Sequence, residues 1–197
     1  MGNSIYSRRS IRKYKDKQVA KELIAQIIDA GRMAPSAKNR QPWQYIVLGG
    51  ESKKEFLECM WRGILREENE KASLPASKNG IPDAKNTWKI MSQAPVLIAV
   101  INTNGKNPFE DIDTDGRFVE IFDTLSIGAS IENMLLEATA MGLGTLWIAN
   151  TCYAYKELTQ YLETSNQLVG AIALGYADEA PSQRPRKAME DIVEYRL

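Results

Sequence analysis

Apolar residues recur at helical spacing over residues 19–33, where Val19, Leu23, Ile24, Ile27, Ile28 and Ala30 form the repeating face. Gly31 near the end and Pro35 beyond it mark where that helix stops. Tyr45-Ile46-Val47-Leu48 reads as a strand that closes on the turn pair Gly49-Gly50. Residues 51–70 return to helical spacing, with Phe56, Leu57, Met60, Ile64 and Leu65 on the buried side. The unbroken apolar run over 95–102 is that of a strand covered on both faces. Residues 145–150 and 167–177 read as two further strands, and Ile192–Tyr195 as a short one that needs an edge to pair with. The polar stretches 71–83 and 103–116 read as loops. Asp111, Asp113 and Asp115 alternate in the second, but the Gly and Glu of a calcium loop are out of register, so it reads as solvated.

The longest helix is expected over 118–141. Ile127, Ile131, Met134, Ala138 and Met141 make one stripe, and Phe118, Phe122, Leu125 and Ala129 make another on a different face. A helix apolar on two sides is covered on two sides. The second cover is either another subunit or the rest of the same chain. Ser126, Gly128, Ala129 and Ser130 are small enough to let a second helix approach closely.

Composition narrows the classes. The chain has 197 residues, enough for one domain with a sizeable core, and we read 1–197 as one domain. Lys and Arg number 25 and Asp and Glu number 25, so no long-range field draws it to nucleic acid or an anionic membrane. There is no His, which rules out Ser-His and Cys-His catalysis and His-ligated metals. The two Cys have no metal or disulfide spacing, so no metal site is expected. No stretch reaches transmembrane length and no signal peptide is legible, which makes a cytoplasmic protein the expectation.

Four stretches carry candidate chemistry. Pro35-Ser36-Ala37-Lys38-Asn39-Arg40-Gln41-Pro42-Trp43 packs a hydroxyl, two carboxamides and a guanidinium between two prolines. Such a set can read the polar edge of a flat heterocycle, or it can satisfy its own backbone in a rigid turn. Arg8, Arg9, Ser10 and Arg12 lie in a basic segment with three readings: a solvated face, a nucleic-acid patch, or a clamp for one phosphate. Two arginine forks match the roughly −1.5 to −2 charge of a phosphate monoester. Gly142-Leu143-Gly144-Thr145 turns from helix into strand, the reverse of a dinucleotide fingerprint, and offers backbone that a ligand can approach. Arg184-Pro185-Arg186 is a basic loop after the last core strand.

Taken together and in this order, these four stretches resemble the nitroreductase family of FMN-dependent oxidoreductases. The resemblance runs from about residue 4 to the C-terminus. It implies an α+β fold of three layers, with a central mixed or antiparallel sheet of four or five strands between helices. It also implies an intertwined homodimer built about the long helix, with two FMN sites at the interface and each C-terminal tail pairing with the partner subunit. By this resemblance Arg8, Arg9, Ser10, Arg12, Arg184 and Arg186 hold the FMN phosphate side. Asn39 and Gln41 bond the ring or ribityl chain, Pro35 and Ser36 shape the site, and Gly144 and Thr145 face the ring. No residue is assigned as a catalytic acid or base.

The activity so implied is electron transfer from NADH or NADPH through FMN to a small electrophilic acceptor such as a nitroaromatic or quinone, by a ping-pong mechanism. Two other classes compete. One is a flavin-binding sensor or carrier with little turnover, which uses the same binding residues. The other is a nucleic-acid-binding domain built on the basic N-terminus, which predicts salt-dependent binding.

Overall fold

The computed structural model describes residues 2–69 and 72–197. Its centre is a four-stranded antiparallel sheet of β1 (Trp43–Gly49), β2 (Val96–Asn102), β3 (Gly144–Ile148) and β4 (Gln167–Gly175), in the order β1-β2-β4-β3. All seven residues of β2 are buried, as its unbroken apolar run requires. The pleat sends Leu97, Ala99 and Ile101 into one core and Val96, Ile98 and Val100 into the other.

The first core lies under α3 (Gly50–Asn69), α4 (Ile81–Gln93) and α6 (Tyr155–Tyr161), and holds Phe56, Met60, Ile64, Met91 and Leu158. The second lies under α2 (Lys21–Arg32) and α5 (Thr114–Ala140), and holds Ile27, Ile127, Ile131 and Met134. The result is an α+β fold of three layers. Helices α2 and α5 meet closely at Gly31, where a Cβ would stand 2.6 Å from Met134 Cγ. The Ser130 hydroxyl donates to the Gly31 carbonyl there at 2.6 Å.

The second stripe of α5 is open to solvent. Phe118 is 54% exposed, Phe122 45% and Leu125 68%. Among the described residues no part of the chain covers these three side chains. Asp113 in the alternating run is the N-cap of α5, and its carboxylate accepts from the Gly116 amide at 2.8 Å.

Two readings from the pattern need correction. Ile192–Tyr195 is not a strand in the protomer, where only a single helical turn at Met189–Asp191 interrupts an irregular, exposed tail. Residues 75–93 are a turn over Pro75–Gly80 running directly into α4, so the stretch 71–83 is loop only in part, and residue 71 lies outside the described residues. Two short helices had no periodic signal, α1 (Gly2–Ser7) and α6. None of the described helices is long and apolar enough to cross a membrane.

The segment after α3 is held by a buried carboxylate. Glu67 accepts from the Ser73 amide at 2.9 Å and the Leu74 amide at 3.0 Å, and pairs with Arg66, which also donates to Glu157 at 2.7 Å. Burial pushes the Glu67 carboxyl up, but the Leu74 and Ser73 amides and the Arg66 guanidinium outweigh that and hold it below the usual carboxylate range. A carboxylate with a lowered native pKa adds stability above its unfolded pKa and loses it as pH falls through the native one. Resistance to urea should therefore fall steadily below about pH 4 in the wild type, near the ordinary glutamate value. Glu67→Gln should cost about 1–3 kcal/mol at pH 7 and show a shallower loss in acid.

Candidate functional site

The N-terminal segment is strapped across the ends of β3 and β4. Ser10 bridges to Thr145 in parallel, and the Ile11 amide donates to the Thr145 carbonyl at 2.9 Å. Further on, the Lys15 amide donates to the Tyr176 carbonyl and the Asp178 amide to the Lys13 carbonyl, both at 2.9 Å. Ile11 and Tyr14 are the buried anchors of this strap, and the Tyr14 hydroxyl donates back to the Ile11 carbonyl at 2.9 Å. Their alternation with exposed neighbours leaves the cations outside.

The strap brings the two ends of the chain together. Arg8, Arg9, Ser10 and Arg12 line one pocket of about 80 Å³ with Pro181, Ser182, Gln183, Arg184 and Arg186. Two carboxylates touch this basic segment. Glu132 meets Arg8 at 3.3 Å, and Glu179 accepts from the amides of Arg12 and Lys13. Five guanidiniums against two carboxylates leave a local surplus of three positive charges (5 − 2 = 3). That surplus, presented by planar forks beside a serine hydroxyl, suits a phosphate monoester.

Arg12 also lines a second, adjoining groove of about 200 Å³. Its walls are Leu146 to Ile148 of β3, the following Ala149 and Asn150, and Asp83, Asn86, Thr87 and Ile90 of α4. β3 is an edge strand: β4 pairs its inner side, and the Ser10 bridge meets only Thr145 on the outer side. Beyond Thr145 the alternation of the ladder turns Leu146 and Ile148 toward β4 and leaves the Trp147 amide and carbonyl outward, a donor and an acceptor for the edge of a planar heterocycle. Asp83, Thr87 and Asn150 were absent from the sequence-based set. Nothing in a strand's own pattern says that it lies at an edge, nor which helix will stand opposite.

Gly144 and Thr145 are buried. A Cβ on Gly144 would stand 2.7 Å from Ile11 Cγ1, so packing of the strap already requires glycine there. Thr145 has the one buried side-chain polar atom without a hydrogen-bond partner among the described residues, its Oγ1. Neither lines the basic pocket; Thr145 is joined to it through its bridge to Ser10.

The proline-flanked loop has a strained backbone. Lys38, Asn39 and Gln41 have φ of 53°, 54° and 49°, the left-handed region that non-glycine residues seldom occupy. Three ties hold it. The Gln41 amide donates to Ser36 Oγ at 3.0 Å, and the Ala37 amide to Ser126 Oγ at 3.3 Å. Arg40 donates from Nε at 3.0 Å and from Nη2 at 2.6 Å to buried Asp123, whose second oxygen takes Asn104 Nδ2 at 3.2 Å. Arg40 is therefore an anchor. Asn39 and Gln41 are exposed, with no side-chain hydrogen bond among the described residues.

This loop lines neither cavity. Pro35, Ser36, Asn39 and Gln41 belong to a loop tied to α5 at Asp123 and Ser126, whereas Arg8 meets that helix at Glu132. Six to nine helical residues place the two contacts roughly 9–14 Å apart along the axis. Within one protomer the structure gathers Arg8, Arg9, Ser10, Arg12, Arg184 and Arg186 about one cleft, and Gly144 and Thr145 pack against the strap that carries the first four. It leaves Pro35, Ser36, Asn39 and Gln41 apart from them. Neither thiol is an activated nucleophile, since burial is the largest influence on both Cys59 and Cys152 and pushes each up.

The family model described as the nitroreductase family matches residues 5–176. A Bacillus subtilis protein provisionally named an NAD(P)H nitroreductase, YfhC, is 25% identical over 95% of this chain and 89% of its own length. The crystal structure of a BluB-like flavoprotein from Clostridium difficile 630 is 27% identical, with a TM-score of 0.81 over 100% of this chain and 98% of that one. An FMN complex from Desulfovibrio desulfuricans is 25% identical, with a TM-score of 0.71 over 99% and 96%.

The strap can be tested at its tightest contact. Gly144→Ala forces Ile11 off β3 and should cost about 1–3 kcal/mol, the usual range for overpacking. Hydrogen exchange should show faster exchange at the Ile11 amide. An unchanged denaturation midpoint would mean that the strap does not depend on this contact.

Proposed function

The chain belongs to the nitroreductase family, and from that premise we propose that it is an FMN-dependent oxidoreductase that draws electrons from NADH or NADPH and delivers them to a small electrophilic acceptor, a nitroaromatic or a quinone. The observation that carries this reading is the pocket where guanidiniums from both ends of the chain converge. The donor set fits the cofactor's phosphate in charge and in shape, and the groove that shares Arg12 runs along a free strand edge, as a flat ring needs.

Bound FMN supplies the reversible two-electron chemistry that the side chains of this chain lack. Arg8, Arg9, Ser10, Arg12, Arg184 and Arg186 bind and orient the phosphate. The outer edge of β3 beyond Gly144 and Thr145 holds the ring by its polar rim. A nicotinamide and an acceptor occupy the same face in turn, which is a ping-pong order. The reading needs no side-chain acid or base, in keeping with a chain that has no His.

The reading also assigns the parts that one protomer leaves apart. The exposed stripe Phe118, Phe122 and Leu125 is the face on which a second copy packs, and the loop bearing Pro35, Ser36, Asn39 and Gln41 then comes from that copy to close the site. Two sites per homodimer follow. A strained loop with idle carboxamides is what such a shared site calls for.

Three measurements check these points. Full-length protein reconstituted with FMN should turn yellow and oxidise NADH or NADPH steadily when given a quinone or nitroaromatic. Retention of FMN without turnover would make it a carrier, and no retention would end the reading. Arg12→Ala should lose about 1.5–3 kcal/mol of FMN affinity, the worth of a charge-assisted hydrogen bond. Separately, Leu125→Glu should shift the chain from dimer to monomer in light scattering and weaken FMN binding with it. A variant that stays dimeric would show that this stripe is not the interface.

A further inference from the structure

Asn150 follows β3 and lines the groove beside Arg12. Its Nδ2 donates to Asp83 Oδ2 at 2.8 Å and to Thr87 Oγ1 at 2.9 Å. A carboxamide nitrogen carries two N–H donors, so both are used. The reversed amide would set its oxygen against an ionised carboxylate, which can only accept. Asp83 therefore decides which end of the amide faces which way. Oδ1 is left without a partner among the described residues, on a side chain that lines the groove. Thr87 is buried and roots the clamp in the core, and Asp83 stands exposed in the first turn of α4.

We propose that Asn150 is a binding residue that offers its Oδ1 as a fixed acceptor to an N–H on the rim of the flavin ring, with Asp83 and Thr87 as the positioning residues that hold it. This rests on the FMN reading above and extends it to a side chain outside the phosphate pocket. A free carboxamide could turn either end to the ring, and so would not discriminate donor from acceptor. One clamped by a carboxylate can only accept. The isoalloxazine rim has one N–H present in both redox states and another that exists only after two-electron reduction. Either is the same chemistry for Oδ1, and the two have different consequences.

The test uses full-length protein with FMN. The dissociation constant of oxidised FMN is read by fluorescence quenching, and the midpoint potential of the bound cofactor by dye equilibration. Asn150→Ala should change one of these readouts by about fivefold to tenfold, one hydrogen bond's worth. If the bonded N–H exists in both states, the dissociation constant rises and the potential holds. If it exists only in the reduced ring, oxidised FMN binds as before and the potential falls by about 20–30 mV, since tenfold is 29.6 mV for two electrons. Asp83→Leu, an exposed position that tolerates change, should reproduce part of the effect. It should add nothing in the Asn150→Ala background, because it acts through Asn150. The inference is overturned if Asn150→Ala stays within twofold of wild type in both readouts, or if the Asp83→Leu effect is fully additive. Wild-type protein that retains no FMN would overturn the cofactor reading, and this inference with it. Wild type that retains FMN beside an unaffected variant would overturn this inference alone.

Discussion

A strap of six residues decides the chemistry of this protein. Residues 10–15 lie across the ends of β3 and β4, fixed by backbone hydrogen bonds with Thr145, Tyr176 and Asp178 and by two buried side chains, Ile11 and Tyr14. The hydrogen bonds alone are each modest, about 0.5–1.5 kcal/mol net. Burying an isoleucine and a tyrosine makes the strap a part of the core. What the strap achieves is electrostatic. It carries Arg8, Arg9 and Arg12 to the place where the chain leaves β4 and passes through Arg184 and Arg186. Repulsion among five guanidiniums opposes that convergence, and packing at Ile11 and Tyr14 offsets it. A chain with equal numbers of acidic and basic residues thereby builds one strongly cationic spot.

The sheet sets where that spot can act. β2 and β4 are the inner strands, and their backbone groups are consumed by pairing on both sides. β3 has a free side, and the strap covers only its first part. Past it the Trp147 amide and carbonyl are left facing outward, with α4 standing opposite to make a groove. Exposed strand edges are ordinarily a liability for aggregation. Here the edge is recessed between Arg12 and α4, where it is open to a small flat molecule and shielded from another strand.

The core was legible in the sequence because its signal is periodic. The faces of α2, α3 and α5 and the unbroken run of β2 state their burial directly, since burial is what made those positions apolar. The convergence of Arg8 and Arg12 with Arg184 and Arg186 could not come from periodicity. It came from resemblance to a family, and the geometry of the strap supplies its physical cause. Asp83, Thr87 and Asn150 stayed hidden, because a polar residue on a helix and another after a strand look like surface until the fold sets them 2.8 Å apart. The expected strand at Ile192–Tyr195 failed for a related reason. A strand exists only with a partner edge, and within the protomer the tail pairs with neither outer strand of the sheet, β1 or β3.

The loop over 35–43 bears on what kind of molecule this is. Three non-glycine residues with positive φ cost of order 1–3 kcal/mol each. Ser36, Ser126 and the buried Asp123–Arg40 pair hold the loop in that state. A turn that merely joined α2 to β1 would have no use for this, because a glycine at any of the three positions would relieve the strain. The ties lead to α5, close to the exposed Phe122 and Leu125, so the loop is rigid where the helix face is bare. Rigidity without a contact inside the protomer makes sense when the contact lies outside it. The same helix that anchors the loop presents the apolar surface that would bring a second copy to it. Were two copies to pair as proposed, the strain in one protomer would serve the cleft of the other, and α5 would couple cofactor binding to subunit association.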